Sequence, residues 1–394
     1  MRIALVADAW PPMRTSAAVQ LRDLAGAFAE AGHEVTVMVP SAEPASGAAA
    51  ERHGTVEVLR LPAWRTKDVG WVRRTVAEFA MPHLMWRALE RLERRLERYN
   101  AVVWYSPSIF LTPLVARLKR ASAAPAYLII RDIFPDWAAD MGLMGRGPAF
   151  HALRAVAARQ FAAADVIGVQ SPGNLPFFAK WARRGKRIEV LDNWIAPSTS
   201  AGGGISLTGT PLAGRRIVAY AGNMGVAQGM DKVMRLIADS APRRDMGFLM
   251  VGRGSEALRL AQEARARGLD NVVFHDEVEP ERTAGIYAQA SVGLVALDSR
   301  HRTHNIPGKF IGYMAAGLPV LASVNPDNDI IRLINEAGVG RASIDPEGAD
   351  LAGLLAEMMD RDDLAAMSAR ARALAAARFT AAGAAMQIVA ALES

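Results

Sequence analysis

The run Asn305-Ile-Pro-Gly-Lys309-Phe follows an apolar strand (Val292 to Leu297) and a polar loop, and it opens a helix. Unpaired N–H groups and the helix dipole make such a terminus attract anions. A lysine in the first turn opposes the dipole, so a bound phosphate is its natural compensation; a solvated surface lysine is the plainer alternative. Asn305 and the amides after it would then hold phosphate or sugar. Two more loops follow strands in the same half. In Tyr220-Ala-Gly-Asn-Met-Gly-Val-Ala-Gln-Gly229, Gly222 and Gly225 permit the close backbone approach a diphosphate needs, and Asn223 and Gln228 offer amides. In Val251-Gly-Arg-Gly254, Arg253 brings a fork suited to two phosphate oxygens, or is only a surface arginine in a tight turn. His304, beside Arg300, His301 and Arg302, either donates to a diphosphate oxygen or belongs to a solvated basic loop.

The first half carries Arg131-Asp-Ile-Phe-Pro-Asp136 after another apolar strand. Asp132 there is the candidate for orienting an acceptor hydroxyl, with a helix-capping aspartate as the alternative. Asp8-Ala-Trp-Pro-Pro-Met-Arg-Thr-Ser16 follows the first strand, and Ser16 is well suited to cap the helix behind it. Residues 60–98 hold ten Lys/Arg against five acidic residues, interleaved with Trp64, Trp71, Phe79, Met81, Leu84, Met85 and Trp86. That mixture suits an anionic membrane surface; a helix with its apolar side on the core and its arginines in water is the alternative. Nucleic acid could use the same charges, but no recognised motif accompanies them. There is no cysteine, so disulfides and thiolate chemistry are excluded. No Asp-x-Asp metal motif is recognised, and no metal is expected.

These residues need a scaffold that gathers strand ends. At 394 residues the chain is long enough for two domains. Strand and helix patterns alternate through residue 196, a small-residue stretch (Pro197 to Gly204) interrupts them, and the alternation restarts. This predicts an α/β protein with two doubly wound, Rossmann-like domains facing across a cleft. The expected division is 1–196, a linker at 197–214, 215–375, and a terminal helix at 376–394 within a tail that reads as helical from Gly348 onward. The chain enters its first strand without a signal-type segment, and no apolar run is long enough to span a bilayer, so a cytoplasmic location is expected. The net charge of +6 favours an anionic partner.

The run Pro307-Gly-Lys-Phe-Ile-Gly-Tyr-Met-Ala-Ala-Gly-Leu-Pro-Val320 resembles the donor-binding segment of GT-B glycosyltransferases of family 4. It is most similar to the branch acting on bacterial surface polysaccharides, which includes N-acetyl-L-fucosamine transferases. The run at 221–229 looks like that family's phosphate loop, and Asp132 to Pro135 resembles its Asp-x-x-Pro element. The resemblance implies a UDP-sugar donor, with the backbone near Val278 reading the base, and a lipid-diphosphate-linked glycan as acceptor. It also implies a retaining reaction without a metal, and a terminal helix packed back on the first domain. Meeting such an acceptor would make the protein peripheral on the cytoplasmic face of the inner membrane. In this chain Thr15, Ser16 and the helix amides stand where the family has a glycine-rich turn toward the diphosphate. Many members carry two glutamates, one facing the sugar and one holding the ribose; their positions are His304 and Gly312 here. Glu281 is the candidate to compensate for the second. A sugar-nucleotide epimerase or hydrolase, and a non-catalytic binding subunit, remain the alternatives.

Overall fold

The computed structural model describes residues 1–13, 15–42, 48–92, 98–196, 203–279, 282–300, 304, 306–361 and 363–393. Asn305, Glu281, His301, Arg302, Arg94 and Arg95 lie outside the described residues. The chain forms two compact units, Met1–Asp192 with Ala381–Ser394, and Asn193–Thr380. The divisions thus fall four residues before the expected 196 and five after the expected 375.

The first unit runs β1 (Arg2–Val6), α1 (Ser16–Glu30), β2 (Glu34–Ser41), β3 (Ala49–His53), β4 (Val56–Pro62), α2 (Trp71–Arg91), β5 (Ala101–Ser106), α3 (Thr112–Ser122), β6 (Ala126–Ile130), α4 (Asp136–Asp140), α5 (Pro148–Ala163), β7 (Val166–Val169), α6 (Leu175–Ala182) and β8 (Arg187–Val190). Its sheet order is β3-β4-β2-β1-β5-β6-β7-β8, parallel except for β3. β1, β5 and β6 are buried almost end to end, which is why they read as unbroken apolar runs. β3 shows no such run: Ala-Ala-Glu-Arg-His is a mostly exposed antiparallel edge, and nothing in its pattern marks a strand.

The second unit runs β9 (Arg216–Ala221), α7 (Met230–Asp239), β10 (Met246–Val251), α8 (Ala257–Ala266), β11 (Val272–His275), α9 (Thr283–Ala288), β12 (Val292–Ala296), α10 (Gly308–Ala316), β13 (Val320–Ser323), α11 (Asp329–Ala337), β14 (Gly340–Ser343), α12 (Leu351–Asp360) and α13 (Leu364–Arg378). Its sheet is wholly parallel, ordered β11-β10-β9-β12-β13-β14. The order reverses between β9 and β12, and ligands of such sheets bind beyond the strand carboxyl ends at that switch point. The two strands pair there only at Val292↔Val218 and Gly293↔Ala219, so their carboxyl ends splay.

The tail is not one continuous helix. It breaks after Asp360 and again at Phe379-Thr380 before α14 (Ala381–Glu393). α14 belongs to the first unit, where Gln387 Nε2 donates to Glu189 Oε1 at 2.9 Å and to the Val190 carbonyl at 2.8 Å. No helix among the described residues is long and apolar enough to cross a membrane.

Candidate functional site

The switch point of the second unit is plugged by tyrosines. Tyr313 of α10 donates its hydroxyl toward the carbonyls of Ala219 (3.2 Å) and Leu294 (3.1 Å), bridging β9 and β12 where their ladder opens. Gly293 makes room for it, since a Cβ there would lie 2.6 Å from the Tyr313 ring. Tyr287 of α9 packs edge-on against Tyr313, with ring centroids 4.8 Å apart. Tyr220, near the end of β9, is fully buried and donates its hydroxyl to the Asn223 carbonyl at 2.6 Å.

Lys309 completes this group. Its ammonium donates to the Tyr220 hydroxyl at 2.6 Å and lies 3.8 Å from the centre of the same ring. Among the described residues no carboxylate pairs with it. Removal from water lowers its pKa from the ordinary 10.5 to about 7, because nothing of opposite charge repays the lost hydration. Its stem packs close to the backbone of Gly222, where a Cβ would lie 3.4 Å from Cε.

The loops after β9 and β10 are zipped together through their backbones. Gly222 N–H donates to Val251 O (2.9 Å) and Met224 N–H to Arg253 O (2.7 Å). Only glycine allows this approach: a Cβ on Gly252 would sit 2.0 Å from the Gly222 carbonyl oxygen, and one on Gly254 would sit 2.3 Å from that of Met224. Gln228 works inside the loop. Its Oε1 accepts from Gly225 N–H at 3.0 Å and from Asn223 Nδ2 at 3.1 Å, so the two amides hold the turn's shape.

Arg253 is exposed and pairs with Glu277 at 3.1 Å, so its fork is turned to a neighbour from the loop after β11. Val278, in that same loop, is half-buried against the apolar core. His304 is half-buried with Nδ1 3.9 Å from Asp329 Oδ2, at the start of α11. The sequence does contain an Asp-x-Asp element there, Asp327-Asn328-Asp329, contrary to the expectation that none exists. Its chemistry is that of a helix start: Asn328 is the N-cap and accepts from Ile330 N–H at 3.1 Å. Among the described residues no three His, Asp or Glu side chains gather as a metal site requires. Gly312 is buried, and a Cβ there would lie 3.0 Å from Cε2 of Tyr287.

Asp132 and Ser16 belong to the first unit. Asp132 is half-buried beyond the end of β6 and does not cap α4, whose N-cap is Pro135. Ser16 is the first helical residue of α1, not its cap. Thr15, one residue earlier with extended backbone, caps it by accepting from Ala18 N–H at 3.3 Å. The sequence reading passed over Asp8. It stands just beyond β1 at this sheet's own reversal point, between β1 and β5. Burial raises its carboxyl pKa against the pull of Lys67 and Arg74, with Glu78 adding to the rise. Its signal in the sequence was only its position after the first strand.

Residues 60–91 divide between the two alternatives. Met81, Met85 and Leu89 are buried in the core, and the half-buried Trp86 donates to Glu90 at 2.6 Å. Trp64, Trp71, Val72, Val76 and Phe79 are exposed instead.

The model for a glycosyl transferase 4-like domain matches residues 15–194, and that for glycosyl transferases group 1 matches residues 215–383. The chain belongs to the GT-B glycosyltransferases of family 4. It is 23% identical over 287 residues to the probable glycosyltransferase WbjE of Pseudomonas aeruginosa, covering 69% of each chain. The fold is that of sucrose-phosphate synthase from Thermosynechococcus elongatus (TM-score 0.76, 15% identity, 99% of this chain and 98% of that one). It is also that of Anabaena HepE, solved in complex with UDP (TM-score 0.68, 15% identity, 100% of both chains).

Proposed function

We propose that the second unit binds a UDP-sugar and that the chain transfers its sugar, an N-acetylated deoxy sugar such as fucosamine, to a lipid-diphosphate-linked glycan. The observation that carries this reading is the dehydrated Lys309 ammonium, which has no carboxylate partner among the described residues and stands at the switch point of a parallel sheet. A half-buried cation so placed, with no carboxylate beside it among the described residues, is stabilised by an arriving anion. The first turn of α10 offers its amides on the same edge. The UDP complex of HepE supports uridine diphosphate as that anion.

In the transfer, the acceptor oxygen bonds to the anomeric carbon as the bond from that carbon to the β-phosphate oxygen breaks. In the retaining course the departing phosphate oxygen takes the acceptor proton on the same face. Lys309 neutralises the charge that develops there, so no metal is required. His304 adds a second donor to the diphosphate, Asp132 orients the acceptor hydroxyl, and the exposed aromatic and basic side chains of α2 meet the membrane carrying the acceptor.

Incubating the purified chain with UDP-sugars, with and without a lipid-diphosphate acceptor, and measuring UDP tests this. Acceptor-dependent UDP release is the expected result. Acceptor-independent conversion would make the chain an epimerase or hydrolase. Binding without turnover would make it a non-catalytic subunit, the reading favoured by a glycine at 312 where many members have a glutamate.

A further inference from the structure

Tyr287 lies in α9 and is 8% exposed. Its ring is fixed on two sides, by Tyr313 and by the bare backbone of Gly312. Its hydroxyl makes no hydrogen bond among the described residues, whereas the hydroxyls of Tyr220 and Tyr313 are both bonded. The ring is buried while the hydroxyl keeps some contact with solvent, so it is open to an arriving polar group. That hydroxyl lies 3.5 Å from where a Cβ on residue 312 would be, so it reaches the face of α10 that residue 312 presents. Residues 309 and 312 are three apart on one helix and share that face. The phenol and the Lys309 ammonium are therefore offered to the same side of α10.

We infer that the Tyr287 hydroxyl binds a hydroxyl of the nucleotide-sugar, as a neutral group occupying the space left by Gly312. The inference rests on the proposed donor reading of this site. A phenol both donates and accepts, so it matches an alcohol of a polyol, and it adds no charge beside the diphosphate. The polyol is either the ribose of the nucleotide or the transferred sugar. The glycine is part of the device: a Cβ at 312 would lie 3.0 Å from Tyr287 Cε2 and press on the ring.

Tyr287→Phe removes one oxygen and leaves the ring packing in place. Calorimetry with UDP, 2′,3′-dideoxy-UDP and UDP-glucose reads the outcome. If the ribose is the partner, the variant binds UDP about fivefold to tenfold more weakly than wild type and binds the dideoxy nucleotide equally well. If the transferred sugar is the partner, UDP affinity is unchanged and UDP-glucose loses a similar factor. Unchanged affinity for all three ligands, or an equal loss for all three, would overturn the inference and leave the donor reading standing. A wild-type chain that binds none of them would overturn the donor reading and this inference together.

Discussion

Lys309 and Asp8 are opposite cases of one physical cause. Each is an ionisable group that its surroundings dehydrate, and each shifts toward its neutral form. For Lys309 the shift couples binding to protons. With a pKa of about 7 in the free protein, the amine is partly neutral at neutral pH, and a bound diphosphate raises the pKa again. UDP affinity is therefore expected to fall as pH rises through about 7, accompanied by proton uptake on binding. Calorimetry in buffers of different ionisation enthalpy measures both. Lys309→Ala should abolish the proton uptake and weaken UDP binding at pH ~6 by at least about tenfold; a pH-independent wild-type affinity would count against the assignment. Asp8 gives a stability prediction. Its folded pKa lies above the usual carboxylate value, so the folded state binds more protons there and stability drops as pH rises through the folded value. Asp8→Asn should raise the melting temperature at neutral pH and have little effect in acid. If Asp8 also serves the acceptor, transfer would decline in the same variant.

At the level of elements, the donor loops depend on glycines whose backbones do what no other residue can. Gly252 and Gly254 have φ of +141° and +150°, and each approaches a carbonyl of the β9 loop. Alanine at either position meets both strain, about 1–3 kcal/mol for the backbone alone, and a steric clash. Gly252→Ala is expected to lower the midpoint of denaturant unfolding and to reduce UDP affinity together, because the two loops would have to separate. Strands were legible in the sequence where parallel strands are buried on both faces and read as apolar runs, as β5 and β13 do. Elements that bury little were not legible. β3 is an exposed edge, and the first turn of α2 lies in water and shows no periodic burial; β14, only Gly-Arg-Ala-Ser, has no apolar run to mark it. Lys309 could be singled out from its place in a helix's first turn, and the Gly222 loop from its glycines. The tyrosines beneath them could not, since Tyr220, Tyr287 and Tyr313 come from three separate elements and meet only through the sheet order.

For the whole molecule, the question is what would bring a chain with no membrane-spanning helix among its described residues to the lipid-borne acceptor proposed for it. The first turns of α2 supply the candidate means. Trp71 is 80% exposed, Val72 and Val76 lie nearby, and Phe79 stacks edge-on against Phe110. Arg73 and Arg74 occupy the same turns, and Arg74 is already paired with Glu78 at 2.8 Å. Burying an exposed apolar side chain in the headgroup region gains about 1.5–3 kcal/mol, and a basic residue near anionic lipid adds about 1 kcal/mol. The chain is therefore expected to co-sediment with vesicles containing phosphatidylglycerol more than with neutral ones, and less so as salt is added. Trp71→Ala should weaken that binding about tenfold, and Arg73→Glu by a similar factor on anionic vesicles alone. Neither change should shift the melting temperature, because neither side chain is part of the core. UDP affinity in solution should also stay the same, which separates loss of the membrane from loss of the donor site. Equal sedimentation with neutral and anionic vesicles, or retention of binding in both variants, would show that α2 is an ordinary solvated helix. The acceptor would then have to be met by another surface.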